Sequence, residues 1–518
     1  MKTSSITSAL IILSSTLGFA GCSSSDASHS EVRVVAAAGE PAAGLPEGYL
    51  YEGFDPIYAM GASGEIAFSA KANTPHGGPR DRQHVLWFGS VDEIAPVARV
   101  GQAVPGLEET VLISGFQATP RVITESGRLG FVVQTSRSPS GSLPQALLIH
   151  DDGELEKVVA TGDEVPLPGG ATPLLSISQF AMTNEGVLFM GKVNRRQNGL
   201  WFWDHSGLKL VSADRTQINI GSTACDVRSV ASTTVDLNKA GFGVFRITMG
   251  GNQCASGGII AWDSDSNDLE PIALNRTPIE EGSDLYYQSL TGDARVSDEG
   301  QVGLHGNIYS NSASSSGAKE MTLLYTPEHA ASRALIDKYT PFAEAPDITL
   351  THTILGDGLA IVDDSELIHF VKSNRDRIIL RTFIDEEISH RVVARNGTTV
   401  GEQVAARIGD GHVNRNGDVV FTSYIDDGAK GGTYQQELWF SARNRDPIRL
   451  AFPGQPVAGR TDQTIEGIDI TNQSHEPKMH NTQGGRNRLM DDSGATFFSG
   501  RLRKANQWHN ALFMAIPD

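Results

Sequence analysis

The feature that most constrains this chain is a short segment that recurs eight times. Seven copies contain a glycine that follows a polar turn-like stretch and precedes a large apolar residue, and the weaker sixth copy has Glu366 in its place. The seven steps from Gly64 to Gly494 average about 61 residues each. Such regular self-similarity indicates a fold built from repeated units. The glycines are Gly64, Gly127, Gly186, Gly241, Gly300, Gly417 and Gly494.

Two further apolar segments keep the same spacing. One is represented by residues 86–88 and 200–202, the other by residues 97–101 and 158–162. Each run is short and is bounded by Gly, Asn, Asp or Pro, which is typical of β-strands joined by turns. Each unit therefore predicts four strands, a to d in chain order, with the glycine turn between strands a and b.

Four-stranded units arranged in a ring predict an all-β fold, an eight-bladed β-propeller with antiparallel blades. Seven blades are the main alternative. The chain begins with a d-type segment at residues 34–37 and ends with a, b and c segments, the last at residues 512–514. One blade is then completed by pairing of the N-terminal and C-terminal strands, which closes the ring. Residues 32–518 are expected to form this single domain.

The repeated units resemble a known family. Asn-x-x-Gly-x-x-x-Phe segments, with Leu-Trp and Val-Ala runs between them, are similar to the NxxGxxxAF tandem repeats of secreted or surface-anchored bacterial proteins. The clearest matches to the Asn position are Asn184, Asn238 and Asn414, and Glu366 is the largest departure. The resemblance implies a propeller-like fold and surface anchoring. It implies no particular reaction or ligand.

The N-terminal residues have the pattern of an export signal. The apolar stretch at residues 6–19 reaches about 21 Å as a helix, too short for a hydrocarbon core of about 30 Å. It leads into Phe-Ala-Gly-Cys at residues 19–22, which resembles a bacterial lipobox. In lipoproteins with this motif the Cys is lipidated and the preceding residues are removed. A plain secretory signal is the alternative.

We therefore expect residues 1–21 to be a lipoprotein signal peptide. Cys22 would carry the lipid, and residues 22–31 would form a flexible tether. The Ser that follows Cys22 favours the outer membrane by resemblance to enteric lipoproteins. The sequence thus predicts a protein anchored by lipid in the bacterial cell envelope, facing the periplasm or the cell surface.

Two cysteines remain after Cys22. Exported proteins with an even number of remaining cysteines usually pair them. Cys225 and Cys254 are therefore expected to form a disulfide. Closing the loop between them would stabilise the fold by about 3–4 kcal/mol, through the entropy of the unfolded chain. Two free thiols are the alternative.

Charge excludes one class of partner and indicates another. The formal net charge of −19 argues against nucleic acid, because phosphate binding requires a basic surface. The b–c loops are nevertheless basic, whereas the c–d loops on the opposite rim are acidic. A basic rim suits lipid phosphates, acidic polysaccharide or an acidic protein, and ordinary solvated loops are the alternative. The candidate rim residues are Arg80, Arg82, Arg195, Arg196, Arg375, Arg377, Arg501, Arg503 and Lys504.

Three Gly-Asp pairs precede the a–b turns of their units. Asp293, Asp357 and Asp410 fall in the innermost strand, so their carboxylates are candidates for a divalent cation site in the central channel. Turn formation by Gly-Asp is the alternative. The sequence indicates no other cofactor, since it lacks the motifs of metalloproteases, phosphate loops and nucleophile elbows.

Together these features favour a monomeric propeller that binds a protein or glycan of the envelope without catalysis, since a rigid ring holds loops in place for recognition. The first alternative is a glycan-active enzyme with a site at the channel mouth. The second is a repeat protein without a small ligand. A carboxylate pair, or a carboxylate with a His, in a deep pocket with shifted pKa values would favour the enzyme.

Overall fold

The computed structural model describes residues 30–517 apart from short stretches. The predicted leader with Cys22 lies outside the described residues, as do Asp293, Asp357 and Arg375. The described chain forms the predicted eight-bladed β-propeller. No described helix is long and apolar enough to cross a lipid bilayer. The stretches not described between residues 30 and 517 are 79, 118–120, 137–143, 221–222, 252–253, 291–293, 311–317, 330, 338–339, 341, 343–349, 353–358, 364, 374–376, 386, 427–433, 470–478, 482–488 and 506.

The strands follow the chain from blade to blade. The first, β1 (Glu31–Ala37), belongs to the last blade. Blade 1 contains β2 (Leu50–Met60), β3 (Ile66–Asn73), β4 (Gln83–Gly89) and β5 (Ala95–Arg99); blade 2 contains β6 (Ile113–Phe116), β7 (Val122–Ile123), β8 (Leu129–Thr135), β9 (Gln145–Asp151) and β10 (Glu154–Ala160); a small hairpin of β11 (Glu164–Val165) and β12 (Thr172–Pro173) follows. Blade 3 contains β13 (Ser176–Met182), β14 (Val187–Asn194), β15 (Gln197–Asp204) and β16 (Gly207–Ala213); blade 4 contains β17 (Gln217–Ile220), β18 (Thr223–Leu237), β19 (Phe242–Gly250), β20 (Gly257–Asp263) and β21 (Leu269–Leu274).

The second half of the ring repeats the arrangement. Blade 5 contains β22 (Leu285–Leu290), β23 (Arg295–Val296), β24 (Val302–Ser310), β25 (Lys319–Thr326), a short 3₁₀ helix (Pro327–His329) and β26 (Ala331–Asp337); blade 6 contains β27 (Leu350–His352), β28 (Leu359–Asp363), β29 (Glu366–Ser373), β30 (Arg377–Ile384) and β31 (Ile388–Arg395). Blade 7 contains β32 (Thr399–Val400), β33 (Gln403–Val413), β34 (Val419–Asp426), β35 (Tyr434–Ser441) and β36 (Ile448–Ala451), with β39 (Met479–Asn481) parallel to β33; blade 8 contains β37 (Pro456–Val457), β38 (Arg460–Asp469), β40 (Thr496–Lys504), β41 (Gln507–Ile516) and β1.

Apart from β39, the strands pair antiparallel and in chain order within each blade, with the predicted a, b, c and d arrangement. The strands that precede the a–b turns of neighbouring blades contact one another around the ring, as β13 does with β18 and β23 does with β28. Strand a is therefore the innermost strand. In blades 2, 5 and 6 it is split into two short strands.

The ring closes as the sequence predicts. Strand β1 pairs antiparallel with β41, and the register places Val34 opposite Phe513 and Ala36 opposite Leu512. The N-terminal strand thereby becomes the outermost strand of blade 8. This pairing covers an edge of β41 that would otherwise expose unpaired backbone groups. The alternative count of seven blades is wrong.

The core lies between adjacent blades. The aromatic residue of strand b and the tryptophan of strand c pack together, as in Phe68 with Trp87 at 5.6 Å and Phe189 with Trp201 at 5.7 Å between ring centroids. One cluster of buried residues combines strands of blades 3 and 4, and another combines blades 4 and 5. Burying such a side chain completely contributes about 1.5–3 kcal/mol. The repeated aromatic positions therefore hold the blades together.

The a–b turn explains the Asn and Gly of the repeat. In blade 4, Asn238 Oδ1 accepts hydrogen bonds from the backbone N–H groups of Ala240 (3.1 Å) and Phe242 (2.9 Å). Gly241 has a φ of 79°, which a residue without a side chain adopts readily. Asn238 Nδ2 donates to the carbonyl oxygen of Ser297 in blade 5 at 2.9 Å. The Asn therefore shapes its own turn and ties it to the next blade.

Asn184 does not occupy the equivalent position, although the sequence ranks it among the clearest matches. The turn of blade 3 is one residue shorter than that of blade 4, and it begins at Thr183. Gly186 accordingly has no positive φ. Asn184 Oδ1 instead accepts hydrogen bonds from the backbone (3.3 Å) and hydroxyl (2.7 Å) of Ser126 in blade 2. It still joins two blades, but as an acceptor.

Candidate functional site

The ring has two faces that carry different loops. Successive antiparallel strands run in opposite directions, so the a–b turns and c–d loops share one face, here called the turn face. The b–c loops and the d–a connections share the other, here called the hairpin face. A ligand that approaches the channel meets one of these two faces.

Charged side chains occupy the centre of the turn face. Arg415 from the turn of blade 7 contacts the carboxylate of Glu125 in blade 2, and its guanidinium lies 3.8 Å from Asp298 in blade 5. Lys239 Nζ from blade 4 is 3.3 Å from the same Asp298 carboxylate. These four residues, the central ion cluster, come from four different blades. Their contacts with one another pair positive and negative side chains from four blades on this face.

The degenerate sixth copy of the repeat forms a buried ion-pair network on this face. The Glu366 carboxylate contacts Arg381 of its own blade and lies 2.7 Å from Arg443 of blade 7. Arg381 Nη2 also donates to the carbonyl oxygen of Gly417 in blade 7 at 2.7 Å. Burial raises the pKa of Glu366, an effect that the two arginines offset only in part. The residue that departs most from the repeat therefore links blades 6 and 7.

The hairpin face carries a polar pocket of about 540 Å³ where blades 7, 8 and 1 meet. Asp55 from blade 1 and Arg501 and Asn510 from blade 8 contribute charged and amide groups to its lining. The rings of Phe54 and Tyr424 line it as well. The pocket therefore offers both hydrogen-bonding groups and aromatic surface to a ligand.

Asp55 is held in one orientation by residues of two blades. It stands where strand β2 bulges away from β3, and its Oδ2 accepts hydrogen bonds from Ser69 and from His84 Nε2, the latter at 2.7 Å. Arg121 of blade 2, only 3% exposed, donates from Nη2 to Ser69 Oγ at 2.6 Å. No residue in the described ranges donates to Asp55 Oδ1. This oxygen is therefore available to a ligand.

The environment keeps the Asp55 carboxylate ionised. Burial raises its pKa, but the hydrogen bonds from His84 and Ser69 outweigh that effect. The charge of Arg121 acts in the same direction, so the pKa of Asp55 lies below its ordinary value. Burial also lowers the pKa of Arg121 to about 10, which still leaves it charged at neutral pH. A general acid or base works best with a pKa near the operating pH, so Asp55 suits binding better than proton transfer.

The predicted basic rim is divided among several blades. The eight predicted rim residues that the structure describes stand on the b–c hairpins of blades 1, 3, 6 and 8. Arg82 and Arg503 are each paired with a glutamate of the hairpin face. Arg501 and Lys504 form no ion pair with a described residue. Blade 8 places three of the predicted residues on one hairpin, and one of them, Arg501, lines the pocket.

The structure does not assemble the predicted cation site from the residues it describes. Asp410 is 7% exposed and lies where the pairing of β33 shifts, between Ile408 and Gly411. Asp293 and Asp357 lie outside the described residues. Within the described ranges, no group of three or more His, Cys, Asp or Glu residues could hold a metal ion.

The two predicted cysteine partners form a disulfide. Cys225 and Cys254 have an S–S distance of 2.11 Å and a Cα–Cα distance of 5.8 Å. Cys225 lies near the start of β18 and Cys254 in the loop between β19 and β20. The bond therefore joins strand a of blade 4 to the b–c loop on the hairpin face.

The residues that orient the pocket carboxylate could not be identified from the sequence alone. Asp55, His84 and Arg121 are far apart in the chain and belong to no motif. One local signal exists, because Asp55 precedes Pro56 within a strand-like run. A proline inside a strand marks a bulge or an edge, and bulges often redirect a side chain toward a site.

Solved β-propeller structures are similar to this chain at low sequence identity. The β-propeller domain of the trilobed protease from Pyrococcus furiosus is 10% identical with a TM-score of 0.39, covering 80% of this chain and 99% of that chain. TolB from Acinetobacter baumannii is 12% identical with a TM-score of 0.30, covering 74% and 79%. An oligogalacturonate lyase in complex with manganese is 11% identical with a TM-score of 0.37, covering 79% and 90%.

Comparison with curated protein sequences gives no match. One family model, in contrast, matches residues 60–502. The matched range runs from the end of strand a in blade 1 to strand b of blade 8, so it contains all eight a–b turns. The chain therefore belongs to the family of unknown function DUF7453.

Proposed function

We propose that this propeller binds a glycan in the hairpin-face pocket without catalysing a reaction. The observation that carries the proposal is Asp55, an ionised carboxylate held by Ser69 and His84 with one oxygen left for a ligand. A carboxylate accepts hydrogen bonds from hydroxyl groups and can accept two from neighbouring ones. Such an acceptor, fixed before the ligand arrives, avoids the entropic cost of ordering a side chain on binding.

The rest of the pocket complements a polyhydroxylated ligand. Asn510 and Arg501 supply donors for hydroxyl oxygens. Tyr424 and Phe54 supply aromatic surface for the apolar side of a sugar ring. The Arg407 guanidinium lies 5.4 Å from the centre of the Tyr424 ring, an arrangement that helps to hold this ring in place. The pocket thus offers both kinds of contact that a sugar requires.

A glycan-active enzyme remains the second candidate, because two carboxylates, Asp55 and Glu466, line the same pocket. Hydrolysis by a carboxylate pair needs one member with a raised pKa that acts as the acid. The lowered pKa of Asp55 makes it the ionised member of such a pair, so the test of this candidate addresses Glu466. Release of reducing sugar that is abolished by Glu466→Gln would favour this candidate over binding alone.

We further propose that Cys22 anchors the propeller in the cell envelope through lipid. Two features support this proposal: the lipobox-like sequence, and the disulfide of blade 4, which is typical of exported proteins. Cys22→Ser should move the protein from the membrane fraction to the soluble fraction of the envelope. A Cys22→Ser protein that stays in the membrane fraction would contradict the anchor.

The binding proposal is tested by isothermal titration of the purified protein with maltohexaose, chitohexaose and an alginate hexamer. We expect at least one to bind and Asp55→Asn to weaken it at least tenfold, since a hydrogen bond to a charged group contributes about 1.5–3 kcal/mol. Asp204→Asn is the matched control, because Asp204 lines a pocket on the turn face. Binding of none of the three glycans, or equal losses in the two variants, would contradict the proposal.

A further inference from the structure

The wall of the pocket continues outward along one hairpin. In blade 8, β40 and β41 place Arg501 opposite Asn510 and Arg503 opposite Trp508. Residues two apart on a strand share a face, so both cross-strand pairs lie on the same side of the sheet. The second pair is about 7 Å farther from the pocket than the first. These four residues are here called the blade 8 ledge.

The ledge exposes an aromatic ring that the fold does not need. Trp508 is 56% exposed, and the Arg503 guanidinium lies 5.7 Å from the centre of its ring. Two other large apolar side chains of the described chain are comparably exposed, Tyr434 at 57% and Val404 at 50%. All three lie at the hairpin-face ends of strands in blades 7 and 8. These exposed apolar side chains therefore lie on the same face of the ring as the pocket.

The ledge is also positively charged in an acidic protein. Arg501 has no ion-pair partner among the described residues, and the same holds for Lys504 at the hairpin tip. Arg503 is 3.5 Å from Glu466, which offsets part of its charge. The chain as a whole carries a formal charge of −19. A local excess of arginine and lysine beside the pocket therefore favours a negatively charged ligand.

We infer that the ligand is an acidic polysaccharide, bound with one sugar in the pocket and the adjoining sugars along the blade 8 ledge. This inference rests on the proposed glycan binding. It adds the charge of the polysaccharide and the direction in which it extends from the pocket. Arg501 and Arg503 pair with carboxylate or sulfate groups of successive sugars. Trp508 stacks on a sugar ring next to them.

An acidic protein is the competing partner, and the surface favours it less. A stable protein interface has a contiguous apolar centre surrounded by a polar rim. Here the exposed rings stand on separate hairpins, and the polar pocket lies beside them. This arrangement fits a narrow polymer with alternating polar and apolar surfaces.

The test compares three probes by isothermal titration with the purified full-length protein: alginate oligosaccharides, dextran oligosaccharides of equal length, and polyglutamate. We expect alginate to bind at least tenfold more tightly than dextran, with an affinity that falls as NaCl increases. The double variant Arg501→Gln/Arg503→Gln should lose at least tenfold for alginate and clearly less for dextran, because only the charged sugars pair with the guanidinium groups. Arg195→Gln/Arg196→Gln, on the hairpin of blade 3, is the matched control and should bind alginate like the wild type.

The outcomes separate this inference from the proposed function. Equal affinity for alginate and dextran, both weakened by Asp55→Asn, would overturn the acidic ligand while leaving glycan binding intact. Polyglutamate binding as tightly as alginate would overturn it in favour of an acidic protein. Trp508→Ala with unaltered alginate affinity would overturn the path along the ledge. If neither glycan bound in a manner that depends on Asp55, both the inference and the proposed function would fail.

Discussion

The turn face and the hairpin face are built from the same repeat, yet they treat their polar residues in opposite ways. On the turn face, Asn238 and Arg415 bond to groups of other blades, and Glu366 is buried between two arginines. On the hairpin face, Arg501 has no ion-pair partner among the described residues, and Trp508 is exposed. The turn face therefore uses these polar groups for contacts between blades, whereas the blade 8 ledge leaves Arg501 and Trp508 for solvent or a ligand.

This difference separates stability from recognition within one ring. A polar group that is buried and bonded contributes to the free energy of folding, and its loss leaves a partner unsatisfied. An exposed and unpaired group contributes little to folding and can be retained for binding. Variants of the turn face should therefore lower stability and leave glycan affinity unchanged. Variants of the blade 8 ledge should do the reverse.

The largest effect is expected from Arg381→Met. This change leaves the Glu366 carboxylate buried with one of its two arginines removed, and breaking a buried ion pair costs about 3–5 kcal/mol. Urea denaturation followed by fluorescence should show a correspondingly lower free energy of unfolding. The double variant Arg381→Met/Glu366→Leu should recover much of this loss, because no uncompensated charge remains buried. A single variant as stable as the wild type would show that the network carries no stability.

Acid should lower the stability of the fold without weakening glycan binding. His369 lies between blades 5 and 6, and burial lowers its pKa from 6.5 to about 3, with His390 and His305 acting in the same direction. Below pH 6.5 the unfolded chain takes up a proton that the folded chain takes up only near pH 3. The contribution of His369 to the free energy of unfolding should therefore fall by up to about 1.4 kcal/mol per pH unit, or about 2.3 kcal/mol from pH 6.5 to 4.5.

Binding should persist over the same range, because the pKa of Asp55 lies below 3.8 and the carboxylate stays ionised. Denaturation curves and isothermal titrations at pH 6.5, 5.5 and 4.5 measure the free energy of unfolding and the glycan affinity under the same conditions. Unfolding of the variant His369→Gln should take up about one proton fewer than unfolding of the wild type, so its stability should depend less on pH. An affinity that falls in parallel with stability would mean that the hairpin face depends on the same histidine.

Substitutions in the a–b turns should lower the free energy of unfolding by a smaller amount. Asn414 Oδ1 accepts from the backbone N–H of Asp418 (2.9 Å), and its Nδ2 donates to the carbonyl oxygen of Asp491 in blade 8 (3.1 Å). Asn414→Ala removes both bonds and should lower the free energy of unfolding by about 1–3 kcal/mol. Asn184→Ala should cost less, because Asn184 does not shape its own turn. Equal losses for the two variants would contradict the distinction between these turns.

Much of the fold could be predicted from the sequence, because the information is periodic and local. The spacing of the glycine turns gives the number of blades, and the segments at residues 34–37 and 512–514 show which strands complete the ring. The assignment of Asn184 was wrong because the turn of blade 3 is one residue shorter. The Asn there follows the first residue of the turn, and only strand pairing reveals this.

The pocket could not be predicted, because its contacts join strands that are distant in the chain. Asp55, Ser69 and His84 meet within blade 1, and Arg121 reaches them from blade 2. None of these residues stands in a repeated position, so periodicity carries no signal for them. Charge counting places Arg501 and Arg82 among the candidate rim residues, but it could not show that Arg501 borders a pocket or that Arg82 is paired with Glu52.

The smallest effect is expected from Arg415→Gln, which tests whether the two faces are independent. Arg415 is partly exposed, with 23% of its side chain accessible, so its pairs with Glu125 and Asp298 should contribute about 1 kcal/mol or less. Stability should fall by that amount, and less so at high salt, because salt already screens the pairs in the wild type. Alginate affinity should not change, since the central ion cluster lies on the opposite face from the pocket. A tenfold change in affinity would show instead that charge at one mouth of the channel controls binding at the other, and the separation of stability from recognition would no longer hold.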